Sequence, residues 1–102
     1  MRETPLKLLF DKRALAEWHK LDRPIRAQFK KKLEKLVSRE ETPSPRNRIS
    51  GLGPNFYKIK QRANGYRLVY EYRDDAMVIT VIAVSRRDRS AVYKIARARV
   101  KK

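Results

Sequence analysis

Cysteine is absent from this 102-residue chain. Neither a disulfide framework nor a thiolate zinc site can therefore form, and a reducing cytosol is the natural setting. Histidine occurs once, at His19, which excludes the paired imidazoles of ordinary general acid–base chemistry. Long apolar stretches are missing too. The longest, "AMVITVIAV" (76–84), has nine residues, whereas a membrane helix needs about 20; it reads as a core strand. Met1 to Pro5 is polar and no signal-peptide pattern follows. Acidic residues are also scarce, 11 against 27 Lys and Arg, for a net charge of +16.

That imbalance is the strongest signal present. Self-repulsion at such a charge opposes the compact state, so a polyanionic partner is expected. Nucleic acid leads. An anionic membrane surface fits less well, because the cations accompany a real core and are not confined to one amphipathic helix; no membrane partner is expected. An acidic protein partner is compatible with either. The length suits one domain, residues 1–102, with a single core that needs no staples.

"LKLLF" (6–10) predicts a short strand. Asp11 then caps a helix with Leu15 and Trp18 at helical spacing. Asp22 is a second cap, with Pro24 in the following first turn, where its missing N–H is harmless. Ile25, Phe29, Leu33 and Leu36 form the apolar stripe of the second helix, and the two helices form a hairpin. Lys30, Lys31 and Lys32 lie behind that stripe. They read as a solvated face or as a second phosphate-binding surface. "SREETPSPRNRISGLGPN" (38–55) has three prolines, two glycines and no periodicity, which marks a long loop. Three strands follow, then a short C-terminal helix with Ser90 as its cap, Val92, Ile95 and Ala96 on one side and Tyr93 and Arg97 on another. The order β-α-α-β-β-β-α predicts an α+β sandwich: a small antiparallel-rich four-stranded sheet with its helices on one face.

"FYKIKQRANGYRLVYEY" (56–72) is the most informative stretch. Taking Asn64-Gly65 as a type I′ two-residue turn sets 62 opposite 67, 60 opposite 69 and 58 opposite 71. Opposed residues share a side of the sheet. Lys58, Lys60, Arg62 and Arg67 then share one face with Val69 and Glu71, while Tyr57, Ile59, Leu68, Tyr70 and Tyr72 face the core. Arg86, Arg87 and Arg89, just past the last strand, extend the cationic surface. Such a surface can hold a phosphodiester, and Tyr93 either packs in its helix or stacks on a base. Lysine and arginine on an exposed sheet face can also serve only to keep an edge soluble.

Cleavage of RNA through its ribose 2′-OH needs a base at that oxygen, charge stabilisation on the phosphorane and a proton for the leaving oxygen. His19 reads as a structural or solvated helix histidine. Asp74 and Asp75 read as turn residues. A site here would be mostly cationic. Neighbouring cations would favour a neutral lysine at Lys58 or Lys60, and arginine suits charge stabilisation, which points to Arg67 and Arg87.

The stretch "YKIKQRANGYRLVYEY", with "VSRRDRSAVY" downstream and "FDKRALAEWHKLDRPIRAQFKKKLEKL" upstream, resembles the RelE toxins of bacterial RelB–RelE toxin–antitoxin pairs, over about residues 7 to 100. The resemblance implies a cytoplasmic, metal-independent endoribonuclease, an mRNA interferase without cofactors. It would act on mRNA in the A site of the 70S ribosome and leave a 2′,3′-cyclic phosphate and a 5′-hydroxyl. It implies catalytic roles for Lys58, Lys60, Arg67, Arg87 and Tyr93: Lys58 or Lys60 as base, Arg67 and Lys60 on the phosphorane, Arg87 on the leaving oxygen, and Tyr93 against the base or ribose. Arg48, Arg62, Arg86, Arg89 and Lys30 to Lys32 would contact RNA or ribosome. The resemblance further implies a RelB-like antitoxin that displaces the C-terminal helix, and operator DNA bound only through that antitoxin complex. Ser50 departs from the family, whose close members carry arginine before the glycine. Arg46 and Arg48 are the candidates to replace it.

Two alternatives are a non-catalytic basic RNA- or ribosome-binding protein and a toxin of the same fold that inhibits DNA gyrase. The charge itself makes a prediction. With about six phosphates neutralised, the log–log slope of RNA or ribosome affinity against salt is expected near −4 to −5. A titration that stays flat with salt would defeat the electrostatic reading.

Overall fold

The computed structural model describes residues 4–86 and 91–100. Its elements are β1 (Lys7–Phe10), α1 (Lys12–His19), α2 (Arg23–Val37), a single 3₁₀ turn (Pro45–Asn47), β2 (Phe56–Gln61), β3 (Tyr66–Arg73), β4 (Val78–Arg86) and α3 (Ala91–Val100). The expected cap, Ser90, lies outside the described residues. No helix among them is long and apolar enough to cross a membrane.

The four strands form one sheet in the order β1-β4-β3-β2. β1 runs parallel to β4, and the other two pairings are antiparallel. β1 and β2 are therefore the two edges, and the α1–α2 hairpin that links them crosses a whole face of the sheet. Asp11 caps α1 as expected, its carboxylate accepting the Arg13 N–H at 2.8 Å. That pairing with Arg13 also lowers the Asp11 pKa. Asp22 stands at the start of α2 but makes no side-chain cap bond. Arg26 secures the joint instead, its guanidinium donating to the carbonyls of Trp18, His19 and Leu21. α2 buries Phe29, Leu33 and Leu36. In α1 the inward residue is Ala14, while Leu15 is 39% exposed. A small residue at that crossing lets the helix lie close to β4.

The helices do not all share one face. Ala14, Phe29, Leu33 and Leu36 pack with Ile59, Leu68, Tyr70, Ile79, Val81 and Val84. Val92 and Ala96 of α3 pack with Phe56, Val69, Ile82 and Ala83, which is a second core. The cause lies in β4. Val69 pairs with Ala83 and Tyr70 with Val81, so Ile82 is an extra, unpaired residue. A bulge of this kind turns two successive side chains to one side. Ile82 and Ala83 thus both face α3, and the strand is apolar on both sides, as a strand covered on both faces must be.

Tyr70 is 3% exposed and stacks on Tyr57, ring centroids 5.8 Å apart. Burial, reinforced by the nearby Tyr57 and Tyr72 phenols, raises its pKa far above that of a free phenol. A raised folded-state pKa stabilises the fold below the unfolded value of about 10, and that contribution fades as pH climbs toward the folded one. In an alkaline titration, one tyrosine's share of the phenolate absorbance should appear only together with loss of the far-ultraviolet dichroism. Ionisation of all five tyrosines before any unfolding would contradict this.

Candidate active site

The β2–β3 hairpin is built differently from a two-residue turn. Its ladder pairs Gln61 with Tyr66, Lys60 with Arg67, Lys58 with Val69 and Phe56 with Glu71. Arg62 to Gly65 form a longer turn, closed by the Gly65 N–H donating to the Gln61 carbonyl at 2.9 Å. Gly65 has φ 78°, a left-handed conformation that costs glycine little. Gln61 explains the choice. It is 7% exposed; its amide nitrogen donates to the Ile25 carbonyl at 2.9 Å and its oxygen accepts from the Asn64 amide at 2.8 Å. The Asn64 oxygen then accepts the Tyr66 N–H at 3.0 Å. Asn64 is held by its side chain and is not free to start a type I′ turn.

The change of register is two residues, so no side chain changes face. Lys58, Lys60 and Arg67 still share a side with Val69 and Glu71. Arg62 leaves the ladder for the exposed turn. The more consequential result is that Lys60 now sits directly opposite Arg67. Opposed residues have Cβ atoms about 4.5–5.5 Å apart, and like charges so placed repel. Among the described residues no side chain hydrogen-bonds or ion-pairs with Lys58, Lys60 or Arg67. Lys58 and Arg67 are half-buried and Lys60 is exposed. On β4, Ser85 stands opposite Arg67 and Ala83 opposite Val69.

This is the face that α3 covers. Tyr93 is half-buried against the cluster of Phe56, Val69, Ile82, Ala83, Val92 and Ala96, so its helix lies beside the cations. Two concavities adjoin them. A hollow of about 280 Å³ at the hairpin tip is lined by Lys60, Arg62 and Arg67. A cleft of about 410 Å³ runs along the outer edge of β2, between Lys32 and Leu36 of α2, Arg46 of the long loop, and Lys58, Lys60 and Arg62.

The other expected residues are more scattered. Arg86 lies within β4, not beyond it, opposite Tyr66. It stacks over that ring at 5.7 Å on the far side of the sheet from Lys60. Lys30, Lys31 and Lys32 are exposed on α2, in the other helical layer, and of the three Lys32 alone lines the cleft along β2. His19 is exposed at the end of α1, also in that layer. Arg48 bridges to Tyr57 on the outer edge of β2. Arg87 and Arg89 lie outside the described residues. At the departure beside Ser50, Gly51 has φ 90°, and the Arg97 guanidinium of α3 comes within 3.9 Å of where a Cβ would stand. A cation thus approaches this loop from α3, which the sequence pattern did not reveal. No group of three or more His, Asp or Glu side chains among the described residues could hold a metal ion.

The model for the family described as "ParE toxin of type II toxin-antitoxin system, parDE" matches residues 8–91. The mRNA interferase toxin RelE of Escherichia coli K12 is 47% identical over 94 residues, 89% of this chain and 93% of that protein. The chain belongs to the RelE family of toxins. Two solved structures of E. coli RelE agree in fold. A mutant in the free state superposes with a TM-score of 0.80 at 43% identity, covering 93% of this chain and 97% of that one. The same mutant in complex with a peptide of the antitoxin RelB gives 0.74 at 43% identity, covering 90% and 94%. RelE from Pyrococcus horikoshii, at 19% identity and a TM-score of 0.60, shares the fold, with 83% of this chain and 98% of that one covered.

In this RelE-family hairpin, Gln61 sets the register that opposes Lys60 to Arg67. Gln61→Ala removes a buried partner from both the Ile25 carbonyl and the Asn64 amide, and should cost about 1–3 kcal/mol. Urea unfolding measures it. An unchanged midpoint would show that the amide does not hold the turn.

Proposed function

We propose that this protein is an mRNA interferase, the toxin of a type II toxin–antitoxin system, and that it cleaves mRNA in the ribosomal A site. The opposition of Lys60 to Arg67, with no acidic partner among the described residues, carries this reading. A fold keeps like charges face to face where an anion is to come between them, and a phosphodiester in an RNA chain supplies one. The kinship with RelE of E. coli, named an mRNA interferase toxin, supports mRNA as that polyanion.

In the proposed reaction Lys58 or Lys60 accepts the proton of the ribose 2′-OH, and the freed oxygen attacks the adjacent phosphorus. Lys60 and Arg67 hold the extra negative charge of the phosphorane. The bond from phosphorus to the 5′ oxygen then breaks, Arg87 supports the charge on that oxygen, and a proton from water completes the 5′-hydroxyl, leaving a 2′,3′-cyclic phosphate. Tyr93 stacks on the base or orients the ribose. The chain has a single histidine, His19, and it lies away from the cations, so much of the rate must come from positioning, which an ordered mRNA on the 70S ribosome can provide. Arg48, Arg62, Arg86, Arg89 and Lys30 to Lys32 serve the backbone and ribosomal RNA. A RelB-like antitoxin restrains the toxin, as the RelB complex of the E. coli relative suggests, and operator DNA is met only through that complex.

Purified protein should cleave mRNA on programmed ribosomes with an empty A site and leave free RNA largely intact. Arg67→Ala should lower kcat by about 10²–10³ while ribosome affinity falls only modestly. Arg87→Ala should likewise reduce cleavage far more than binding. Equal losses in cleavage and binding would remove the catalytic assignments. No cleavage in either arm would leave a binding protein, or a gyrase-directed toxin, as the function.

A further inference from the structure

Tyr93 reaches the cationic face only through α3. Val92 and Ala96, 1% and 0% exposed, are the buried anchors of that helix, and the partly buried Tyr93, Ile95 and Val100 pack against the same cluster. The far end of the helix is held by polar contacts as well. Arg99 donates from Nη1 to Glu17 Oε1 at 3.0 Å and to the Ile82 carbonyl at 2.9 Å, and from Nη2 to Glu17 Oε2 at 2.8 Å. Glu17 Oε1 also accepts the Val84 N–H at 3.0 Å. The two side chains are 11% and 27% exposed.

The place of this clasp is informative. β1 pairs with β4 only as far as Phe10 and Val81. Beyond that point β4 loses its neighbour, and its next backbone groups need other partners. Glu17 and Arg99 provide them from opposite layers. Glu17 belongs to α1 on one face and Arg99 to α3 on the other, so the pair reaches around the exposed margin of the sheet. A fork-to-fork guanidinium–carboxylate contact fixes direction as well as distance. It holds α3 roughly 9 Å along its axis from Tyr93, at 1.5 Å of rise per residue.

We propose that Glu17 and Arg99 are positioning residues for the cleavage reaction. Their clasp holds α3 in the one orientation that sets Tyr93 beside Lys58, Lys60 and Arg67. The assignment rests on the reading of Tyr93 as part of an RNA-cleaving site. Without the clasp the chain still binds RNA through its cations, and only the docked fraction of molecules can react, so kcat scales with that fraction.

The test uses the full chain, with Glu17→Gln, Arg99→Gln and Arg99→Lys. Arg99→Gln leaves α1 and the bond from Glu17 to Val84 in place, so it stands in should Glu17→Gln fail to fold. Three readouts are taken: amide hydrogen exchange by segment, thermal unfolding, and cleavage on programmed ribosomes. Both glutamine variants should lose protection over 91–100 while β2 to β4 keep theirs. Their kcat should drop on the order of tenfold with KM within about twofold, and Arg99→Lys, which retains a point charge, should fall between. Unchanged protection of 91–100, or lost protection with wild-type kcat, would overturn the positioning role while the ribonuclease stands. A wild-type protein that cleaves nothing would overturn the ribonuclease reading, and this assignment with it.

Discussion

β4 has to be covered on both faces, and the rest of the molecule follows from how it manages that. A regular strand sends alternate side chains to opposite sides. The bulge at Ile82 breaks the alternation once, so Ile79, Val81 and Val84 serve the core under α1 and α2 while Ile82 and Ala83 serve α3. Without the second core there would be no seat for α3. The face that carries Lys58, Lys60 and Arg67 would then be an open cationic sheet. With it, the same face becomes walled, and the wall carries an aromatic side chain.

The cationic face shows how a fold can hold charges that repel one another. The ladder between β2 and β3 fixes Lys60 against Arg67 through backbone bonds, to which the side chains contribute nothing. Gln61 secures the register from the other side of the sheet, through bonds to α2 and to the turn. Tyrosines and aliphatics pack below the hairpin, while above it the cations share their face with Phe56 and Val69 of the second core. The unfavourable electrostatics are offset by burial on both faces.

Much of this was legible in the sequence, for identifiable reasons. Helix periodicity located Phe29, Leu33 and Leu36, and strand alternation put Lys58, Lys60 and Arg67 on one side whichever turn was assumed, because a slip of two residues preserves parity. The turn itself was misjudged. Asn64-Gly65 is a strong local signal, yet the buried amide of Gln61, bonded to a helix 36 positions away, outweighs it. The expectation of helices on one face failed because a bulge leaves no mark in a run of apolar residues: "VITVIAV" reads the same with or without one. Arg86 was expected beside the site for the same reason, since the bulge also fixes which side the end of β4 presents. The Glu17–Arg99 clasp carried no local signal at all. Each residue looks like an ordinary solvated charge on its own helix.

The separation of that pair has a consequence for how the molecule comes into being. Glu17 and Arg99 stand 82 positions apart in the chain. Three of the sheet's strands, β2 to β4, lie between the two partners in sequence, so the clasp closes a long loop and forms at low entropic cost only once the sheet has brought α1 and α3 together. It is a contact that completes the fold and not one that starts it.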